Sequence, residues 1–304
     1  MGLLTLEEFL GNPIITGILT IICVFLAGYT IWQTIYYKKK DDEWKKKIER
    51  LLQYTVANAK ETRSQDASPG LKMEVITANE IITDPKTADD FFMKAYAAQI
   101  DKDYDKAIEY CKKAIELNPE YANAYNDMGN AYYYKQDYDK AIECYEKAIE
   151  LKPDYAEAYN NMGGMYDYKK DYDEAIKCYE TAIELKPNYA EAYYDMGITY
   201  SGKQDYDKAI RCYKKAIELR PNYAEAYNNI GNVYQGKKDY EKAIEYYEKA
   251  IEFNPDLPET YCNMGTVYYL SGNKTKGIEY LKKAALLGSE PAQQWLAEHN
   301  KAGS

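Results

Sequence analysis

Histidine is almost missing from this sequence: His299 is the only one in 304 residues. Its isolation removes the usual partner from a Ser-His-Asp or Cys-His arrangement and from any histidine-built metal centre. Phosphate-cradling glycine patterns are missing as well, since neither a P-loop nor G-x-G-x-x-G occurs. The six cysteines, Cys23, Cys111, Cys144, Cys178, Cys212 and Cys262, contain no C-x-x-C pair, and unpaired thiols suit a reducing compartment. Asp101, Asp103 and Asp105 begin like a calcium loop, but Lys106 stands where glycine is required and Lys112 where the bidentate glutamate is required. Basic residues are short of acidic ones, 39 against 49, a poor match to the phosphates of nucleic acid. These absences argue against an enzyme, a metal or organic cofactor and a nucleic-acid partner.

What is present is periodic. Pro119, Pro153, Pro187, Pro221 and Pro255 recur every 34 residues, which is the mark of a repeat array. Counted from 31 residues before each proline, six blocks run 88–121, 122–155, 156–189, 190–223, 224–257 and 258–291. Positions within a block are called places below. Apolar or small residues at places 4, 7, 8 and 11, then at 20, 21, 24, 27 and 28, trace two helical stripes separated by a turn. Aspartate at place 16 (Asp103, Asp137, Asp171, Asp205, Asp239) is suited to cap the second helix, and the proline at place 32 to end it. Small residues at place 20 (Ala107, Ala141, Ala175, Ala209, Ala243) and place 8 (Gly129, Gly163, Gly197, Gly231, Gly265) predict close helix approach. Most of the 36 tyrosines fall at packing places.

Tyr227, Gly231, Tyr234, Ala243, Tyr247, Ala250 and Pro255 follow the signature of the tetratricopeptide repeat, with tyrosine for the usual tryptophan at place 4. The resemblance covers residues 88–291. It implies an all-α superhelical solenoid of six helix-turn-helix repeats whose concave face binds a peptide or partner protein. The end blocks depart from the pattern, at Lys94 and Ala98 in the first and at Lys274, Gly277 and Ser289 in the sixth. Residues 292–304 read as a capping helix and tail, with Ala292, Trp295, Leu296 and His299 on one face.

Ahead of the array, a short N-terminus (1–13) leads into Ile14–Tyr37, 24 residues without a charge. That is long enough for one transmembrane helix. Lys38, Lys39, Lys40, Lys45, Lys46, Lys47 and Arg50 follow at once, and this basic flank predicts a cytoplasmic position for everything after it. Residues 38–58 continue as a basic amphipathic helix, and 59–87 as a linker whose Val75–Ile82 segment is apolar enough to rest on the first repeat. Thr16, Thr20, Cys23, Ala27, Thr30 and Thr34 form a small-residue stripe down the span, the pattern of self-association in lipid.

For the groove, the resemblance assigns places 2, 5, 6, 9, 12 and 13 to the concave wall. The peptide-groove residues are then Phe92, Met93, Tyr96, Asn126, Asp127, Asn130, Tyr133, Tyr134, Asn160, Asn161, Tyr168, Asp195, Asn228, Asn229, Asn232 and Asn263. The row at place 6 is similar to the asparagine ladder in the repeat domain of O-linked N-acetylglucosamine transferases, with aspartate in alternate rungs. Such a ladder can hydrogen-bond a peptide backbone, although these may simply be the repeat's commonest residues, and both readings stay open. The cations of a chaperone-tail clamp are absent from Phe92, Tyr96, Asp127, Glu157 and Asn161. The acidic row at place 2 (Asp89, Glu157, Glu191, Glu225, Glu259) favours a ligand carrying Lys or Arg, and Phe92, Met93 and Tyr96 favour an apolar residue at the first block. The reading is a membrane-anchored adaptor with a protein or peptide partner. The open alternatives are an envelope-assembly or secretion factor with its repeats outside the cytoplasm, and a regulatory subunit of a membrane enzyme.

Overall fold

A computed structural model of the chain describes residues 85–301. The predicted N-terminus (1–13), membrane span (14–37), amphipathic helix (38–58) and the Val75–Ile82 stretch lie outside the described residues, as does the small-residue stripe. Among the described residues no helix is long and apolar enough to cross a membrane.

Thirteen helices follow one another: α1 Ala88–Ile100, α2 Tyr104–Leu117, α3 Ala122–Tyr134, α4 Tyr138–Leu151, α5 Ala156–Tyr168, α6 Tyr172–Leu185, α7 Ala190–Gly202, α8 Tyr206–Leu219, α9 Ala224–Gly236, α10 Tyr240–Phe253, α11 Pro258–Leu270, α12 Lys274–Leu286 and α13 Glu290–Lys301. Each pair from α1/α2 to α11/α12 is one repeat, and α13 packs against α12.

Local chemistry sets each boundary. Asp103, Asp137, Asp205 and Asp239 each accept the backbone N–H of the lysine three residues on, at 3.2–3.4 Å. A cap of this kind stabilises by about 1 kcal/mol. Asp171 makes no such bond. In its block Glu174 replaces that lysine and pairs instead with Lys177, so a second carboxylate stands where an ammonium assists the other caps. The second helices stop two residues before each proline, and the intervening residue is extended, as at Asn118 (φ −140°, ψ 91°), because the proline ring disfavours helical backbone before it.

The first helices end differently. Lys102, Gln136, Lys170, Gln204 and Lys238 adopt φ of 58–63°. In the first turn Lys102 N–H donates to Gln99 O at 3.0 Å and Asp103 N–H to Ala98 O at 2.8 Å. This six-to-one closure of the helix end delivers the aspartate straight into its capping position on the next helix.

Alanine at place 20 is fully buried in all five repeats that carry it, and place 8 is closer still. A Cβ on Gly129 or Gly197 would lie 2.6 Å from Cε1 of Tyr145 or Tyr213. The tyrosine at place 24, at most 2% exposed in Tyr145, Tyr179, Tyr213 and Tyr247, therefore occupies the volume that glycine vacates. Consecutive first helices touch one another, whereas consecutive second helices make no contact of similar extent. The first helices therefore line the inner side of the array, and their outward places form a continuous wall.

Candidate partner-binding surface

The wall is built from places that face the neighbouring first helix. At the second and third repeats Asn161 Nδ2 donates to Asn126 Oδ1 and Asn130 Oδ1, both at 3.1 Å, and Tyr145 OH donates to Asn130 Oδ1 at 2.9 Å. The same constellation returns three repeats later. Asn263 Nδ2 donates to Asn228 Oδ1 at 3.2 Å and Asn232 Oδ1 at 2.9 Å, and Tyr247 OH donates to Asn232 Oδ1 at 2.8 Å. Asp127 and Asn229 hold matching places, each accepting the two amides beside it. The ladder thus bonds repeat to repeat, and the side-chain oxygens of Asn161 and Asn263 are its acceptors with no bond within the described residues.

Burial sorts the sequence-assigned residues further. Phe92, Asn126, Asp127, Asn160 and Asn228 are buried, and Phe92 packs on Tyr121 with ring centroids 5.0 Å apart. The apolar first-block wall is accordingly narrower than expected, because place 5 turns toward the adjoining repeat. Met93 and Tyr96 remain half-buried. Tyr133, Tyr134 and Tyr168 come together, with Tyr133 and Tyr168 hydroxyls 2.8 Å apart, and Tyr134 and Tyr168 are about half exposed at 49% and 54%.

The acidic row at place 2 is partly neutralised from within. Lys186 pairs with Glu157 at 3.1 Å and Arg220 pairs with Glu191, while Tyr121 OH donates to Asp89 Oδ1 at 2.6 Å. The row offers a ligand less negative charge than its sequence implies.

Among the described residues, charge without a cation lies elsewhere on the wall and at the end of that row. Among the described residues Asp195 accepts only Asn160 Nδ2, at 3.0 Å, and Asp167 only the Thr199 hydroxyl, at 2.6 Å. Burial pushes the Asp195 carboxyl up to about 6, with Glu191 and Asp167 adding repulsion. Burial also raises Asp167, against the stabilising Thr199 bond. Asn160 Oδ1 is buried beside them without a partner. Tyr194 lies within reach of this charge: burial first, then Asp195, Glu225 and Glu259, push its phenol up to about 12. Glu225 and Glu259 are exposed and carry no ion pair among the described residues. Asp167 was not picked out by the sequence reading, because place 12 runs Gln99, Tyr133, Asp167, Ser201, Gln235, Tyr269 with no pattern.

Such a wall can hydrogen-bond and neutralise an extended basic segment. Among the described residues there is no cluster of His, Cys, Asp and Glu able to hold a metal ion, and the cysteines at places 23 and 24 are buried with thiols pushed up by desolvation.

Fold and surface together define a helical repeat scaffold with a polar inner wall. The chain belongs to the tetratricopeptide repeat family: models of that repeat match residues 91–154, 120–188, 154–222, 224–257 and 246–279. Among solved structures it is similar to a chain of the APC/C hetero-tetramer Cut9-Hcn1, at 17% identity and TM-score 0.65, covering 75% of this chain and 46% of that one. PilW, a type IV pilus biogenesis factor, matches at 21% identity and TM-score 0.63 over 70% of this chain and all of its own. MamA matches at 31% identity and TM-score 0.48, over 55% of this chain and 97% of its own. A comparison with curated proteins gives no match.

Proposed function

We propose that this chain is a single-span membrane adaptor that holds an extended, basic segment of a partner protein along the inner wall of its repeats, on the cytoplasmic side. The observation that carries the reading is the desolvated pair Asp167 and Asp195, with exposed Glu225 and Glu259 near Tyr194; among the described residues none of the four has a cation of its own. Desolvated carboxylates without a counter-charge are held at a cost, and a Lys or Arg from a partner relieves it. Tyrosine faces add cation–π contacts of about 0.5–2 kcal/mol each. The oxygens of Asn161 and Asn263 supply acceptors for a peptide backbone.

The anchor is the uncharged Ile14–Tyr37 stretch with its seven following bases. The orientation follows the positive-inside rule, and the stripe from Thr16 to Thr34 provides the contact for pairing of two such spans. The test is capture of the partner from solubilised membranes. Wild type should retain a partner that salt releases, and Asp167→Asn with Asp195→Asn should lose it; retention by the double variant would refute the reading. A C-terminal reporter active only in the cytoplasm should be active, and a silent one would place the repeats outside.

A further inference from the structure

At place 17 every repeat but the last carries a tyrosine, and at the first four junctions the residue at place 13 of the following repeat stands over it. At the first two junctions that residue is also tyrosine. Tyr134 stacks on Tyr104 with centroids 4.8 Å apart and planes 8° apart, and Tyr168 stacks on Tyr138 at 5.2 Å and 13°. At the next two junctions the residue is Gly202, then Gly236. A Cβ on Gly202 would meet Tyr172 Cζ and OH at 3.4 Å, and one on Gly236 would meet the Tyr206 hydroxyl at 3.9 Å. These are ordinary contact distances, so a side chain at either place would lie against the ring below. Neither Tyr172 nor Tyr206 has a ring partner among the described residues.

The backbone and the flanking charges are shared by the four junctions. The backbone is helical at each place 13. The flanking ion pair persists throughout as Lys135–Asp105, Lys169–Asp139, Lys203–Asp173 and Lys237–Asp207. Only the upper ring is missing at two of the four, and those two border the stretch where Asp167, Asp195 and Glu225 lack cations.

We propose that Tyr172 with Gly202, and Tyr206 with Gly236, form two stacking slots that receive aromatic side chains of the partner segment. The proposal rests on the groove reading above and specifies its ligand. The protein itself supplies the template for the occupant, a phenol ring seated as Tyr134 and Tyr168 are seated. Neighbouring helices pack about 10 Å apart, and a segment in the polyproline II conformation rises about 3.1 Å per residue with every third side chain on one face, so the two aromatic residues are about three apart. Basic residues beside them meet the unpaired carboxylates.

The test titrates the full-length protein in detergent with two labelled peptides, Lys-Tyr-Lys-Ser-Tyr-Lys and the same peptide with both tyrosines replaced by alanine. Wild type should bind the tyrosine peptide about tenfold more tightly. Gly202→Tyr with Gly236→Tyr fills both slots, so it should bind the two peptides alike while melting no lower than wild type. Tyr172→Leu with Tyr206→Leu removes the lower faces and should also abolish the preference, which guards against a misfolded filled variant. Equal binding of both peptides by wild type, lost on Asp167→Asn with Asp195→Asn, would overturn the slots and leave the groove standing. Binding of neither peptide would overturn both. Self-association of wild type that the filled variant loses, with no peptide preference, would assign the slots to a second copy and overturn the partner-segment occupant.

Discussion

The junctions of repeats one to three and those of repeats three to five share a backbone, a turn and a flanking ion pair, yet their inner walls differ. In the first set the wall is closed by the protein's own rings, Tyr134 on Tyr104 and Tyr168 on Tyr138. In the second set glycine replaces the upper ring, and Asp195, which has no cation among the described residues, stands where Asn161 bonds across repeats in the first. The places that hold the scaffold together hardly change along the chain. Those facing the groove vary more, since fewer of the contacts between stacked repeats rest on them, so the departures from the period carry the functional information.

The comparison can be broken at its scaffold, where the largest effect is expected. Gly197→Ala would push a methyl into Tyr213, whose Cε1 and Cδ1 lie 2.6 and 2.7 Å from the new Cβ. It should lower stability by about 1–3 kcal/mol in urea unfolding, whereas Gly202→Ala, on the wall, should change it little. Equal losses would mean that the two kinds of glycine are one.

Tyr168→Gly copies the open junctions into a closed one. It removes a stacked pair and places glycine in a helix, at a combined cost of about 1.5–2 kcal/mol. A cost near zero would show that the self-stacked rings add nothing, and the template for the slots would weaken with it.

Asp195→Asn should stabilise at pH 7 by about 1 kcal/mol, because it removes a desolvated charge while keeping an acceptor for Asn160. The native carboxyl holds its proton up to about 6, whereas the unfolded one loses it near about 4. Wild type therefore gains stability as pH falls from 7 through 6 toward 4, and the advantage of Asp195→Asn should shrink over that window. Melting curves at pH 7 and pH 4.5 measure it, and an advantage constant with pH would mean that Asp195 is not desolvated. The smallest effect is expected for Gly202→Tyr alone, a gain of about 0.5 kcal/mol from one new stacked pair.

Much of the fold was legible in the sequence. The proline spacing marks the ends of the second helices, the aspartate at place 16 caps all but the third of the five that carry it, and the small residues at places 8 and 20 lie where helices nearly touch. The departure at Asp171 could also have been read, since Glu174 breaks a column of lysines. The site was less legible because its chemistry joins residues 29 to 35 positions apart. Lys186 neutralises Glu157 across one repeat, and Asn161 bonds Asn126 and Asn130 across a junction. Such pairings depend on the offset between stacked helices, which the period does not encode. Phe92 shows the same limit, since the resemblance assigns place 5 to the wall and the residue lies inside once the next repeat is stacked.

The central claim is that the partner lies on the inner wall of repeats three to five, and site-specific photocrosslinking tests it most directly. A photoreactive phenylalanine at Ile198, 38% exposed on a first helix, is compared with one at Leu185, 40% exposed near the end of a second helix. The account predicts that the partner captured from membranes crosslinks from position 198 and not from 185, and that added salt removes the product. Crosslinking from 185 alone, or equally from both, would contradict it.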